Sequence, residues 1–519
     1  MISTTQDFET IASCSIRPLA LDARISFTKQ RSQSVDWFTL DVSELDGTDI
    51  LATNEDDPIQ SWDAYDWQNV RDDVIGMTWE RSINFPYNVQ SAICDLTLNN
   101  THHNYTYGNT TSPFYPNVLP KRPMRTFAGF KVNGAPEVVP VFVGMTETTP
   151  KYSGKDDTTA VFTALDFLSE IGNMSLTSTV VLKDVTTDEV IAEILDQFGL
   201  DPVMYDLDKG LNTIPFAYFA KGQNAGNALQ KLVQAENGSM WLNEQGVIRF
   251  KVRTDMASQE DSMVLNSNNI IEIKPSREDG IVNRVKVKSE IRKVQAFQTI
   301  FSTNNSSGYS SSASEDPYRI KASGVTTVWC SFDNPIWSAN TTPVLNGANT
   351  TSNFTAVDLA GNAVNSGIAI SGYLFGEAMK LEVTNSNVFP VSLNWLEIWG
   401  EPAKIVDTID YDAYDTDSID KFGEQILDVR DNNYFTSYES VDSFAEDVLS
   451  KRAGYSPTLT VRIKGNPALQ LSDVVVLDGT DYDGRWEIVG VRSAITQSDG
   501  FSCTLTLEKA PEAESDSAS

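Results

Sequence analysis

The sequence has 519 residues, 40% of them hydrophobic, and carries 39 Lys and Arg against 71 Asp and Glu, a formal net charge of -32. That length exceeds one ordinary core and predicts roughly three or four domains, while the apolar content excludes a largely disordered chain. The negative balance disfavours a grip on nucleic-acid phosphate or an anionic membrane. It suits solubility, salty surroundings, or a surface past which DNA slides without sticking.

In chain order, residues 1–30 lack a basic segment followed by a long apolar one, and no stretch reaches the ~18 apolar residues of a membrane span. Synthesis in a cytoplasm without a secretion signal is the expectation. Period-two alternation predicts strands at Ile25-Ser26-Phe27-Thr28, at Trp37-Phe38-Thr39-Leu40-Asp41-Val42 and at 93–100. A polar loop follows at 101–111, then Pro113, Pro116, Pro120 and Pro123, and a further strand begins near Thr126. Val141-Phe142-Val143-Gly144 and residues 158–166 read as strands. A helix is predicted at 187–198: Thr186 and Glu189 fit a capping box, Val190, Ile191, Ile194, Leu195 and Phe198 share one face, and Gly199 suits the stop. After a polar segment (206–213) and the apolar run 214–219, a second helix is predicted at 225–236, closed by Asn237-Gly238. A hairpin follows at 239–252, turning on Asn243-Glu244-Gln245-Gly246.

The run Val282-Asn283-Arg284-Val285-Lys286-Val287-Lys288 predicts a strand with a basic outward face, and 302–316 a low-complexity loop or linker. Residues 325–401, rich in Asn, Thr and Ser, read as a β-sandwich. A third helix is predicted at 441–451 with Ser440 as its N-cap. Four strands at 458–464, 474–477, 485–492 and 501–508 make a compact β module, and the acidic tail after it is expected to be disordered.

Chemistry finds little footing. Cys14, Cys94, Cys330 and Cys503 are dispersed without ligand spacing, which argues against a disulfide framework or zinc site. The two histidines, His102 and His103, are adjacent in a polar loop, with no ligand partner nearby in sequence. No nucleophile elbow, dinucleotide fingerprint or phosphate loop occurs. The Asn-x-Ser/Thr triplets near 99–111 read as β-turn composition. Carboxylates are in surplus. Asp410, Asp412, Asp415, Asp417 and Asp420, or Asp478, Asp481 and Asp483, could supply a glycosidase pair or cation ligands, although turns favour Asp for backbone reasons and the EF-hand spacing is absent. Trp62, Tyr65 and Trp67, or Trp395 and Trp399, could form sugar-stacking platforms or pack in cores and interfaces.

Three stretches resemble the baseplate-hub family of tailed phages, the minor tail proteins that include the N-terminal structural part of tail-associated lysins. They are Asp95-Leu96-Thr97-Leu98-Asn99-Asn100 with Pro120-Lys121-Arg122-Pro123-Met124-Arg125 and Val141-Phe142-Val143-Gly144; the block from 163 to 250; and 465–475 with Gly484-Arg485-Trp486-Glu487-Ile488-Val489. The resemblance implies an α+β, mostly β, multidomain siphophage tail-tip hub with two tube-like β-barrel domains, a small helix-containing domain and an additional β-sandwich. The expected divisions are 1–140 for part of the first barrel-like domain, 141–180 for connecting strands of the hub barrels, 181–255 for the helix-containing domain, and 256–323 for strands returning to the hub. The remainder divides into 324–402 for the sandwich, 403–456 for a linker and helix, 457–510 for the C-terminal β module, and 511–519 for the tail. It further implies a structural virion component, not an enzyme: a homotrimer contacting the distal tail protein, tail tube, tape measure protein and tip fibres or spike, with DNA passing during ejection without specific binding. No catalytic, metal or cofactor residue is assigned. The competing readings are a host-surface carbohydrate-binding adhesin and a carboxylate-dependent glycan hydrolase.

Overall fold

The computed structural model describes residues 1–14, 17–28, 62, 65–83, 89, 91–153, 158–177, 179, 181–252, 260–275, 280–303, 318–340, 353–454, 458–496 and 500–510. The strand expected at 37–42, the acidic tail and all but the first two residues of the low-complexity segment lie outside them.

Alternation generates the first module. It contains α1 (Gln6–Ser13), β1 (Leu19–Ile25), β2 (Gln68–Asn69), β3 (Val74–Ser82), β4 (Ile93–Asn99), β5 (Pro123–Val132), β6 (Ala135–Thr146), β7 (Lys151–Ser153) and β8 (Thr159–Leu165). In β4 the inward residues Cys94, Leu96 and Leu98 are wholly buried, as period two requires. The alternation expected at 25–28 marks the end of β1: Phe27 is buried, and Ser26 N still donates to Pro123 O at 2.9 Å.

A helix-bearing body follows, made of α2 (Phe167–Gly172), β9 (Leu182–Thr186), α3 (Thr187–Gln197), β10 (Tyr205–Leu207), β11 (Thr213–Ala217), α4 (Ala225–Ala235), β12 (Ser239–Leu242) and β13 (Ile248–Lys251). The Thr186–Glu189 capping box is formed, and Thr186 N donates to Glu189 Oε2 at 2.8 Å. Helix α4 starts on Asn224, whose side chain accepts from Asn227 N at 2.8 Å, and ends where Asn237 turns left-handed (φ 49°). Val190, Ile191, Ile194 and Leu195 of α3 meet Leu229, Leu232 and Val233 of α4 in one buried cluster.

Strands β14 (Asp261–Leu265), β15 (Ile270–Pro275) and β16 (Arg284–Val294) come next, then β17 (Gln298–Ser302), β18 (Arg319–Ile320), β19 (Gly324–Ser331), β20 (Ile336–Ala339), β21 (Phe354–Val357), β22 (Ile368–Leu374) and β23 (Ala378–Asn385). The sheet β19-β23-β22 packs Val328, Cys330, Leu381 and Val383 against Leu393, Leu396 and Ile398 of β24 (Val391–Tyr414), so two sheets share one core. Strand β24 is the largest departure from expectation. The stretch from 403, expected to open a linker, is the second half of a 24-residue strand whose first half pairs with β17, β18, β20 and β21. Its second half pairs with β16 from Ala403↔Val294 to Tyr414↔Arg284. At about 3.3 Å per residue its contour length is roughly 80 Å. The chain continues through α5 (Thr416–Phe422), β25 (Ile426–Arg430) and α6 (Tyr438–Arg452). The third helix starts on Ser437 rather than the expected Ser440: Ser437 Oγ accepts from Ser440 N at 3.1 Å, so Ser440 lies inside the first turn.

The final module is β26 (Leu459–Lys464), β27 (Val474–Leu477), β28 (Gly484–Thr496) and β29 (Gly500–Lys509), joined by β14 and β15. Its strand β28 pairs with β3 of the first module, from Met77↔Ile495 to Ser82↔Gly490. The result is one 14-stranded sheet, in the order β15-β26-β29-β28-β3-β4-β8-β6-β5-β1-β2 with β14, β27 and β7 attached. No pairing among the described residues closes either module into a barrel. Strand β3 pairs with β4 along one edge and with β28 along the other. The architecture is mostly β and multidomain, with several sheets and few helices.

Gly144 of β6 sits where a Cβ would lie 2.2 Å from Leu165 O and 2.7 Å from Phe142 Cζ. Gly144→Ala is expected to cost roughly 2 kcal/mol, as overpacking of a backbone crossing does. Urea unfolding of the full chain, with the slope unchanged and the midpoint lowered, is the check.

Candidate functional site

Where the two β modules and the helix-bearing body meet, charged side chains are buried together. Arg81 follows Met77 and Trp79 at the inward parity of β3, and only 5% of it is exposed. Its guanidinium forms an ion pair with Glu244 and donates to Val141 O. Glu244 lies in the β12–β13 turn, and its other oxygen accepts from Gln470 Nε2 of the C-terminal module. Gln470 N donates to Asp473 at 2.7 Å, and Asp473 also holds the Met1 amino group. One polar chain therefore ties the N-terminus and all three bodies together.

The turn that presents Glu244 is set by backbone geometry. Asn243 Oδ1 accepts from Gln245 N at 3.0 Å and Val247 N at 2.9 Å, and Gly246 adopts φ 84°. A Cβ on Gly246 would lie 2.1 Å from Trp62 Nε1, which donates to Gly246 O at 2.9 Å. Glycine is therefore required both for the turn and for the close approach. Nearby, Asp166 caps α2 and accepts from Ala92 N at 2.7 Å; burial outweighs these hydrogen bonds and the Arg81 charge, and pushes its carboxyl up to about 6. Burial likewise raises Glu487, which accepts from Ser472 Oγ at 3.1 Å. A second clasp is Arg17, which donates to Gly465 O at 2.7 Å and Phe501 O at 2.9 Å while lying over the Phe130 and Phe501 rings.

The sequence candidates are dispersed. Asp410 and Asp412 stand on β24 opposite Lys288 and Lys286 of β16, a cross-strand ladder of opposite charge. Arg284 donates to Asp412 at 2.8 Å and holds its carboxyl below the usual range. Asp415 caps α5 through Ser418 N at 2.9 Å, and Asp417 and Asp420 lie on that helix. Asp483 accepts from Thr480 N at 2.6 Å within the turn before β28, and with Asp478 and Asp481 belongs to that turn region. His102 and His103 are exposed in a turn. Among the described residues no group of three His, Cys, Asp or Glu could hold a metal. Burial pushes the Cys94, Cys330 and Cys503 thiols up to about 12, which leaves them unreactive core groups.

The aromatic candidates resolve differently. Trp62 and Tyr65 are buried with Phe167, and Trp67 Nε1 donates to Trp62 O at 2.8 Å. Trp395 and Trp399 are half-buried on β24, with Trp399 stacked on Phe297 at 6.2 Å. A cleft of about 140 Å³ opens beside Phe216, Tyr218, Lys231, Glu290, Arg292 and Tyr434. Its charges are already engaged: Lys231 donates to Asp431 O at 2.5 Å and Arg292 to Glu290 at 3.4 Å. Sequence reasoning missed the Arg81–Glu244–Gln470 chain. The available signal was an arginine at an inward strand position.

No family model matches the sequence, and no curated protein does. The chain is similar in structure to a tail protein from Neisseria meningitidis MC58, with 9% identity over 95% of this chain and 97% of that one, at a TM-score of 0.48. It is similar to the 43 kDa tail protein of prophage MuSo2 from Shewanella oneidensis, with 10% identity over 85% and 94% and a TM-score of 0.44. A third likeness is to a type VI secretion component of E. coli, itself described as similar to T4 tail proteins gp27 and gp5, with 9% identity over 85% and 74% and a TM-score of 0.37. No described helix is long and apolar enough to cross a membrane.

Arg81→Met should destabilise the chain by roughly 3–5 kcal/mol because it strands Glu244 as a buried charge, and Glu244→Gln in that background should restore part of the loss. A double-mutant cycle by urea unfolding measures this. The Asp166 carboxyl titrates near 6 in the fold and near 4 unfolded, so its contribution to stability falls as pH rises from about 4 through about 6. Asp166→Asn should flatten that part of the stability–pH profile, by on the order of 2 kcal/mol between pH 4 and 7.

Proposed function

We propose that this chain is a structural, non-catalytic component of the tail tip of a phage or phage-like particle, a homotrimeric hub that continues the tail tube and forms part of the DNA ejection conduit. The observation that carries the reading is the joining of two β modules side by side through β3 and β28. A subunit with two such modules offers six sheet segments per trimer. That arrangement adapts a six-fold tube to a three-fold tip. Each module would then continue into a tube-like wall across subunit boundaries.

The buried joint suits the same role. A conduit wall must resist shear between its modules, and the Arg81–Glu244–Gln470 chain fixes their relative placement. Interfaces of an obligate trimer bury on the order of 2,000–5,000 Å². An acidic lumen, drawn from the -32 balance, would let DNA pass without adhering. The distal tail protein, tube, tape measure protein and tip fibres or spike would occupy the remaining faces, and the hub would be made in the host cytoplasm.

Light scattering followed by negative-stain imaging tests the reading. The expected result is a trimer mass and a three-fold ring with an opening wide enough for duplex DNA. A monomer that stays monomeric when mixed with the particle's own tube protein would reject it.

A further inference from the structure

The three-stranded sheet β19-β23-β22 buries one face against β24 and presents the other to solvent. On the outer face the register sets Trp329 of β19 and Tyr373 of β22 on either side of Lys380 of β23. Trp329 is 55% exposed and Tyr373 52%, large values for rings that a core would otherwise claim. Lys380 Nζ donates to Glu382 at 2.8 Å and lies 5.4 Å from the Tyr373 ring centroid. The next row across the sheet is Thr327, Glu382 and Ser371, with the two hydroxyl residues exposed. Phe375 packs beside Trp329 with ring centroids 5.6 Å apart.

We infer that this face is a binding platform for an uncharged oligosaccharide. Two exposed rings, two strand spacings or roughly 10 Å apart, offer flat apolar surfaces to successive pyranose rings. Between them, a lysine and a glutamate supply both donors and acceptors for sugar hydroxyls. The Lys380–Glu382 pair is neutral as a unit, so the face carries no net attraction for an anion. A purely apolar partner would leave that ion pair desolvated, at a cost a hydroxyl-bearing ligand avoids. The platform is also held in place. Gly376 N, next to Phe375, donates to Thr179 O at 2.8 Å, and Tyr218 OH donates to Glu377 at 2.8 Å. Rigid placement reduces the ordering cost of binding. The inference does not rest on the hub reading, since a monomer would present the same face.

The test is an array of neutral oligosaccharides, built from glucose, galactose, mannose and N-acetylglucosamine trimers, probed with labelled full-length chain. Retention of at least one glycan is expected, with Trp329→Ala and Tyr373→Ala each weakening it roughly tenfold. Trp399→Ala, on a half-buried ring stacked against Phe297, should bind as the parent does. The exposed positions of Trp329 and Tyr373 predict unchanged thermal unfolding for both variants. No retained glycan, or retention indifferent to Trp329→Ala and Tyr373→Ala, would each overturn the inference.

Discussion

Antiparallel pairing between β3 and β28 brings together strands from opposite ends of the chain, and the placement of every other body follows from it. The first module alone would leave β3 as an exposed edge with unpaired backbone groups, a hazard natural sheets avoid. The C-terminal module supplies the missing partner and sends Phe501, Ile495 and Ala468 into the first module's core. The residues between must therefore leave the sheet and return to it. The helix-bearing body and the paired sheets fill that excursion, and Glu244 reaches back to Arg81 from inside it. Such long-range closure is entropically slow to form, so the final strands of the chain complete a structure begun at its start.

Local interactions were legible in the sequence, and distant ones were not. The Thr186–Glu189 box could be read because its hydrogen bonds lie within a few residues of one another, and the same holds for Asn237 at the end of α4. The third helix was read with its cap displaced, because Ser437 and Ser440 are equally competent caps and only the packed helix chooses between them. The second half of β24 escaped notice. Ile409, Tyr411 and Ala413 alternate with Asp410 and Asp412 and turn to the core, but the acidic residues Asp407, Asp410, Asp412 and Asp415 resemble a turn until β16 lies beside the strand. The buried joint was nearly invisible: Glu244 and Gln470 look like ordinary turn and loop residues until the fold brings Arg81 between them. Tryptophans chosen by sequence proximity proved to be core or half-buried residues. Trp329 became prominent only when the register placed it across the sheet from Tyr373.

The arrangement of charge is more ordered than a balance of -32 suggests. Several cations stand where elements join: Arg81 at the three-body junction, Arg284 bound to Asp412, and Arg485 bound to Asp261 at 2.8 Å across β28 and β14. Lys286 and Lys288 complete ladders with Asp412 and Asp410. Not all acids are so placed: Asp166 and Glu236 are buried, held by hydrogen bonds from Ala92 N and Thr187 Oγ1. Removing Arg81 strands Glu244 as a buried acid, which is more damaging than the loss of an exposed pair such as Arg284–Asp412.

The long strand β24 gives the molecule a direction. Its first half belongs to the sandwich and its second half is bonded along its length to β16, beside the helix-bearing body. A pull on the sandwich along this axis loads many hydrogen bonds in shear at the same moment, whereas a sideways peel would break them one after another. Tension applied at the far end is therefore delivered to the body intact, and the strand acts as a tendon rather than a hinge.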